Sequence, residues 1–277
     1  LRRLALITCA VAVLAGCSAP RAAVRPLPVQ SRDVAFLVIS NQARAPIVLG
    51  SLRASRGLRV SRSGGRRWSL VPGDRGPALA IAFDGGTAIV SRGATYSVFD
   101  RGVQRILRDG MRWPFAGSVS VMAYEPRHFR IWALAGRRLW YTRDVNGAWT
   151  ERSAAGLCAH PLALAASPTE RGSTRRLRLY AACGPDGLYA SDDLGRSFSR
   201  LQAPAGPVVS VATTSAESKM VVVAGIRVMI SHDRGETFTA APAAGPVVAI
   251  DTRNTRLIFV VGADGKLHIS TDGGATF

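Results

Sequence analysis

The chain has 277 residues, 47% of them hydrophobic and 19% charged, which excludes a disordered polymer and provides for one large domain with a buried core. Its formal net charge is +18, carried almost wholly by arginine. An arginine-rich surface suits an anionic partner such as a glycan, lipid head groups or an acidic protein, and nucleic acid less well; a coding bias toward Arg, Ala and Gly produces the same composition with no partner.

The N-terminus predicts export. Arg2 and Arg3 precede an apolar run from Leu4 to Leu14, far short of the roughly twenty residues that span a bilayer but of signal-peptide length. Leu14-Ala15-Gly16-Cys17 resembles a bacterial lipobox. That resemblance implies cleavage of residues 1–16, a lipid on Cys17 and a membrane-anchored, extracytoplasmic protein on the periplasmic or outer-membrane side. An ordinary secretory signal with a chance cysteine is the alternative. Residues 17–32, rich in Ala, Pro and Arg, read as a tether.

Beyond the tether one pattern recurs. Ser191 to Phe198, Ser231 to Phe238 and Ser270 to Phe277 each read Ser-x-Asp-x-Gly-x-x-Phe, through Asp193 and Gly195, Asp233 and Gly235, and Asp272 and Gly274. Ser61 to Trp68 keeps Ser61, Gly65 and Trp68 but has Ser63 at the Asp position; Thr142 to Trp149 keeps Thr142, Asp144 and Trp149 but has Asn146 at the Gly position. A degenerate sixth copy centres on Asp100 and Gly102. The spacings run from 37 to 49 residues, and short apolar runs begin near 33, 77, 117, 156, 206 and 246. A period near forty with several short strands per unit predicts an all-β propeller of four-stranded antiparallel blades over residues 33–277, about six of them. Within the motif, Asp accepts from nearby backbone N–H groups, Gly tolerates a left-handed backbone, and the aromatic folds back as a plug, so these residues are expected to be structural.

Cys158 and Cys183 are placed about symmetrically around the connection between the first and second strands of the fourth unit. Antiparallel pairing would set them opposite each other within disulfide reach, with two independent buried thiols as the alternative. The last motif ends at Phe277, so the final blade lacks a fourth strand. Either a segment ahead of residue 33 supplies it, or the ring extends into further blades; the second is the expectation.

The repeat resembles the Asp-box (BNR) propellers, which include sialidases, other glycosidases, sortilin-type receptors and the photosystem II stability/assembly factors. Exported assembly-factor-like members are the most similar in form, and that likeness implies a non-enzymatic binding or assembly scaffold. Sialidases of this fold imply three arginines, a Tyr–Glu nucleophile pair and an acidic partner. Here Phe129-Arg130-Ile131 is followed by Trp132 and lies in the third unit, away from the first motif. Glutamate occurs only at Glu125, Glu151, Glu170, Glu217 and Glu236. The catalytic residues of a glycoside hydrolase, kept as the alternative function, are therefore not assigned. The histidines lack metal-ligand spacing, and no cofactor or metal is expected. In related propellers ligands bind opposite the motif turns. There the expected site is a loop carrying Arg108, Arg112 and Trp113, joined by Arg137, Arg138 and Arg227 from strand-to-strand turns.

Overall fold

The computed structural model describes residues 23–39, 47–53, 57–74, 76–84, 86–100, 103–125, 129–144, 147–167, 177–214, 219–251 and 254–277. The lipobox and Cys17 lie outside these residues.

Six four-stranded antiparallel sheets follow one another along the chain. After β1 (Ala23–Pro26), blade 1 holds β2 (Val34–Ile39), β3 (Ile47–Ser51), β4 (Leu58–Ser61) and β5 (Ser69–Leu70). Blade 2 is β6 (Ala80–Phe83), β7 (Ala88–Ser91), β8 (Thr95–Asp100) and β9 (Arg105–Arg112). Blade 3 is β10 (Val119–Glu125), β11 (Arg130–Ala135), β12 (Arg138–Thr142) and β13 (Thr150–Arg152). Blade 4 is β14 (Ala163–Ser167), β15 (Arg178–Ala182), β16 (Leu188–Ser191) and β17 (Ser199–Arg200). Blade 5 is β18 (Val208–Thr213), β19 (Val221–Gly225), β20 (Val228–Ser231) and β21 (Thr239–Ala240). Blade 6 adds β22 (Val247–Ile250), β23 (Ile258–Val261) and β24 (Lys266–Ser270).

Alternation of side chains along each strand explains why six sheets make one ring. In β11, Ile131, Ala133 and Ala135 pack toward blade 2, whereas Trp132 and Leu134 pack toward blade 4. A middle strand is thus buried on both faces, which is why Val221–Val223 and Ile258–Val261 read as unbroken apolar runs. Each of the six interfaces between neighbouring blades holds its own cluster, from Val48, Leu58 and Phe99 between blades 1 and 2 to Leu49, Phe259 and Leu267 between blades 6 and 1. Full burial of a side chain such as Leu139 or Ile258 contributes about 1.5–3 kcal/mol.

The ring closes through β1. The last sheet runs β1-β24-β23-β22, with Ala23 opposite Ile269 and Pro26 opposite Lys266. The expected extension into further blades gives way to a ring of six, because residues read as tether supply the missing outer strand. The tether reading is corrected here as well: Val29 is buried and Ser31–Asp33 form a turn of 3-10 helix. Composition concealed a strand of only four residues.

Two further expectations change. The fourth inner strand starts at Ala163 rather than near 156, because Ala154 and Ala155 first hydrogen-bond alongside the Gly195–Ser197 turn. Of the stretch 108–115 expected as a loop, residues 108–112 lie in β9 (Arg105–Arg112), the outer strand of blade 2, with a register break beside Val98. There Gly110 adopts φ +63 and Asp109 accepts from Ser97 Oγ at 2.5 Å, so the arginine-rich stretch remains strand with a bulge.

Candidate functional site

Blades 1 to 5 join their third and fourth strands on one face of the ring, and in blade 6 the turn after β24 lies on the same face; the repeated motif sits there. In the turn after β16, Asp193 accepts from the N–H groups of Arg196 (3.0 Å) and Ser197 (2.9 Å), and the Gly195 N–H donates to Ser191 Oγ at 2.9 Å. Asp233 repeats this with Glu236 and Thr237, and Asp272 with Thr276, while Ser231 and Ser270 accept from Gly235 and Gly274. Gly195 has φ +78, and a Cβ there would lie 2.4 Å from Leu139 Cδ2; both conformation and space require glycine. Phe198, Phe238 and Phe277 pack into or against the inter-blade clusters, as do Trp68 and Trp149.

The carboxylates in these turns are electrostatically committed. Desolvation would raise the Asp193 pKa, but hydrogen bonds from Ser197, Ser191 and Arg196 override it and hold the group down at about 2. Asp233 is pulled lower by Thr237 and Ser231, and Asp272 by Thr276 and Ser270. Such groups stay ionised and poorly basic across the range in which general acid–base catalysis operates. The two divergent copies keep the turn by other means. Ser63 Oγ replaces the carboxylate and accepts from the Arg67 N–H at 2.8 Å, while Ser61 Oγ accepts from Gly65 N–H at 2.8 Å. Thr142 Oγ1 accepts from Asp144 N–H at 3.1 Å and donates to the Ala148 carbonyl at 3.0 Å.

The opposite face carries the second-to-third strand turns. Arg137 lies between β11 and β12, Arg138 opens β12, and Arg227 lies between β19 and β20; all three are exposed. They share a face but sit on blades 3 and 5, separated by blade 4. Arg138 faces Glu151 at 3.6 Å. Next to Arg227, Ile226 is 76% exposed and borders a groove of about 230 Å³ formed by Pro204, Pro207, Val223 and Met229. Sequence reasoning missed this apolar tip; an isoleucine between two short strands was the available signal. Blade 4 contributes the Cys158–Cys183 disulfide, with Cα atoms 6.1 Å apart. It links the blade 3–4 connection to the end of β15, since the strand register pairs Ala163 with Ala182 and leaves Cys158 five residues ahead of β14.

Trp113 does not join this face. It is 6% exposed and donates from Nε1 to the Gly93 carbonyl at 2.8 Å. Tyr96 and Phe115 lie at centroid distances of 4.4 and 5.7 Å, and Trp149 meets it edge-on at 5.8 Å. The expected pairing of Trp113 with Arg108 and Arg112 in one exposed recognition loop is therefore corrected: the arginines lie on the exposed outer strand β9, and the indole belongs to the blade 2–3 core. An indole with a free choice packs its large apolar surface and satisfies its single N–H.

A ring of apolar side chains crosses the central channel. Leu37, Ile81, Met122, Leu164, Val211 and Val248, one from each inner strand, form a buried ring between two cavities of about 160 and 120 Å³. Among the described residues no Asp or Glu lines either cavity. Glu125 is fully buried near the motif face, opposite Arg130 in the strand register. Burial lowers the Arg130 pKa and the nearby Glu125 opposes that shift. Burial also raises the pKa of Tyr124 at the channel wall, reinforced by Asp84 and Glu125. Phe129 is exposed in the bend before β11. Glu170 and Glu217 lie outside the described residues.

No protein-family model matches the chain, and no curated protein matches it. Solved structures do. A chain of a mitotic checkpoint complex superposes with a TM-score of 0.59 at 12% identity, over 97% of this chain and 98% of the other. PorZ, an essential surface component of the type-IX secretion system of Porphyromonas gingivalis, aligns with a TM-score of 0.54 at 15% identity, over 83% of this chain and 30% of its own. An ancestral GH74 enzyme aligns with a TM-score of 0.52 at 13% identity, over 84% and 35%. This chain thus spans about a third of the length of each of the last two. At these identities the likeness shows a shared propeller fold.

Proposed function

We propose that the chain is a non-enzymatic binding or assembly scaffold of the Asp-box type, held outside the cytoplasm by a lipid on Cys17. The observation that carries this reading is the channel, where six apolar side chains stand between the two cavities. Glycoside hydrolysis by the usual route needs two carboxyl groups facing a sugar across about 5–9.5 Å. Glu125 is buried against the Arg130 strand, Glu151 faces Arg138, and the aspartates of the Ser-x-Asp turns bind their own backbone. The face opposite those turns offers an anionic protein or glycan the exposed Arg137, Arg138 and Arg227, with Ile226 as an apolar anchor beside Arg227. The likeness to PorZ, described as a bacterial surface component, supports the same placement.

The likeness to a GH74 enzyme supports glycoside hydrolysis as the second reading. Incubation with a panel of fluorogenic sialosides and glucosides separates the two. The scaffold reading expects no release above the uncatalysed rate; turnover abolished by Glu151→Gln would establish a hydrolase. Metabolic labelling with palmitate tests the anchor, with label expected in the wild type and lost in Cys17→Ala.

A further inference from the structure

We propose that the Arg62–Arg67 turn of blade 1 is a docking surface for an anionic lipid bilayer. Six blades place a turn at the same position, and this one differs in charge. Arg62, Arg66 and Arg67 give the segment 62–67 a charge of +3 with no acidic residue, because Ser63 stands where the other copies have Asp. The equivalent segments 192–197, 232–237 and 271–276 each carry −1 with histidine neutral, through Asp192, Asp193 and Arg196, through Asp233, Arg234 and Glu236, and through Asp272. Ser63 keeps the turn closed without the carboxylate, so the fold is retained while the negative charge is removed.

The positive charge is exposed and concentrated. Arg62, Arg66 and Arg67 are all solvent-exposed, and Arg66 and Arg67 have no ion-pair partner among the described residues. Arg62 lies against the Gln104 amide, whose oxygen, turned to the guanidinium, accepts at 2.9 Å. Arg25 of β1 adds a fourth guanidinium, since a Cβ on Gly64 would lie 2.9 Å from its Nη1. Burial lowers the Arg25 pKa and the charge of Arg66 lowers it further, which reports their proximity. Like charges held together in this way repel one another, and a surface of phosphate head groups relieves that repulsion.

The occupant follows from where the chain enters the ring. β1 starts at Ala23, opposite Ile269 and next to the turn that opens at Ser270, so the N-terminal segment meets the propeller on the same face as Arg62–Arg67. Five residues lie between Cys17 and Ala23, so the two are at most about 22 Å apart along the chain. This step rests on the lipid-anchored reading above: a lipid on Cys17 would hold that face against the membrane and turn the Arg137 and Arg227 face outward. The lipid would supply the attachment, and the basic patch on the same face would fix how the ring rests on an anionic surface.

The test uses the unacylated chain from Ser18 onward, whose described sheets lie entirely within residues 23–277. It is sedimented with phosphatidylcholine vesicles, with and without a quarter phosphatidylglycerol. Binding is expected to the anionic vesicles alone, weakened at least about a hundred-fold in R62E/R66E/R67E and retained in R62K/R66K/R67K. The variant R108E/R112E/R200E, with the same change in net charge on the outer strands β9 and β17, is expected to bind like wild type. Undiminished binding by R62E/R66E/R67E, or an equal loss in R108E/R112E/R200E at matched melting temperatures, would overturn the proposal. Absence of palmitate label from the wild-type protein would refute the anchor and leave the vesicle result standing, so the two failures are distinguishable.

Discussion

Asp193, Asp233 and Asp272 each hold a turn by accepting from backbone N–H groups three or four residues ahead. Their pKa values in the fold lie below the usual carboxylate value near 3.9, at about 2 for Asp193. The sign follows from linkage. A carboxyl depressed in the folded state binds fewer protons there, so its stabilisation is complete above the unfolded pKa and is lost as the pH falls through the folded one. The side chains are largely solvent-facing, and screening keeps each contribution modest. Melting temperatures of D193N/D233N/D272N should be below wild type at pH 7 and depend less steeply on pH between about 4 and 2. Parallel curves would show that the turns are held by their hydroxyls and glycines instead. Trp113 makes the contrasting case. Trp113→Ala is expected to cost about 3–5 kcal/mol of stability by denaturant unfolding, and to leave ligand binding on the opposite face unaffected in the folded fraction.

At the scale of elements, strand existence was legible and outer-strand identity was not. The inner three strands of a blade are buried on both faces, and Val208–Thr213 or Val221–Gly225 announce themselves as apolar runs. Outer strands are short and wet: β17 and β21 have two residues each, and β9 is exposed over most of its length. Residues 108–112 therefore looked like part of a loop, since arginines and a glycine at an edge carry no periodic signal. The disulfide belongs to this scale too. Its cysteines are 25 residues apart, and closing such a loop removes about 3 kcal/mol of unfolded-state entropy. C158S/C183S should lose stability of that order in equilibrium unfolding, and reducing agent should have no further effect on the variant.

For the whole molecule, the decisive contact is between the two ends of the described chain. Blade 6 takes its outer strand from Ala23–Pro26, and Leu27 N–H donates to the Gly265 carbonyl at 3.2 Å just beyond it. Deleting residues 23–26 is expected to expose the β24 edge and lower the melting temperature by several degrees, with light scattering reporting association of the unpaired strand. A variant that melts and scatters like wild type would show that the first strand is dispensable. Closure also places Ala23, the first residue of β1, at the motif face, opposite the face that carries Ile226 and Arg227.

The sequence by itself determined the repeat, its unit of several short strands and the turn chemistry, because each depends on residues within a single forty-residue unit. Gly195 and Asp193 act on atoms a few positions away, and their roles could be read from types and spacing alone. Only the tertiary structure decided how the ring closes, where Trp113 packs and that Arg25 lies against the Arg62–Arg67 turn. Pairing Ala23 with Ile269 spans almost the whole chain, and Trp113 meets Trp149 across a blade interface. Contacts of that range depend on the twist and stacking of six sheets, and no local pattern of residues encodes them.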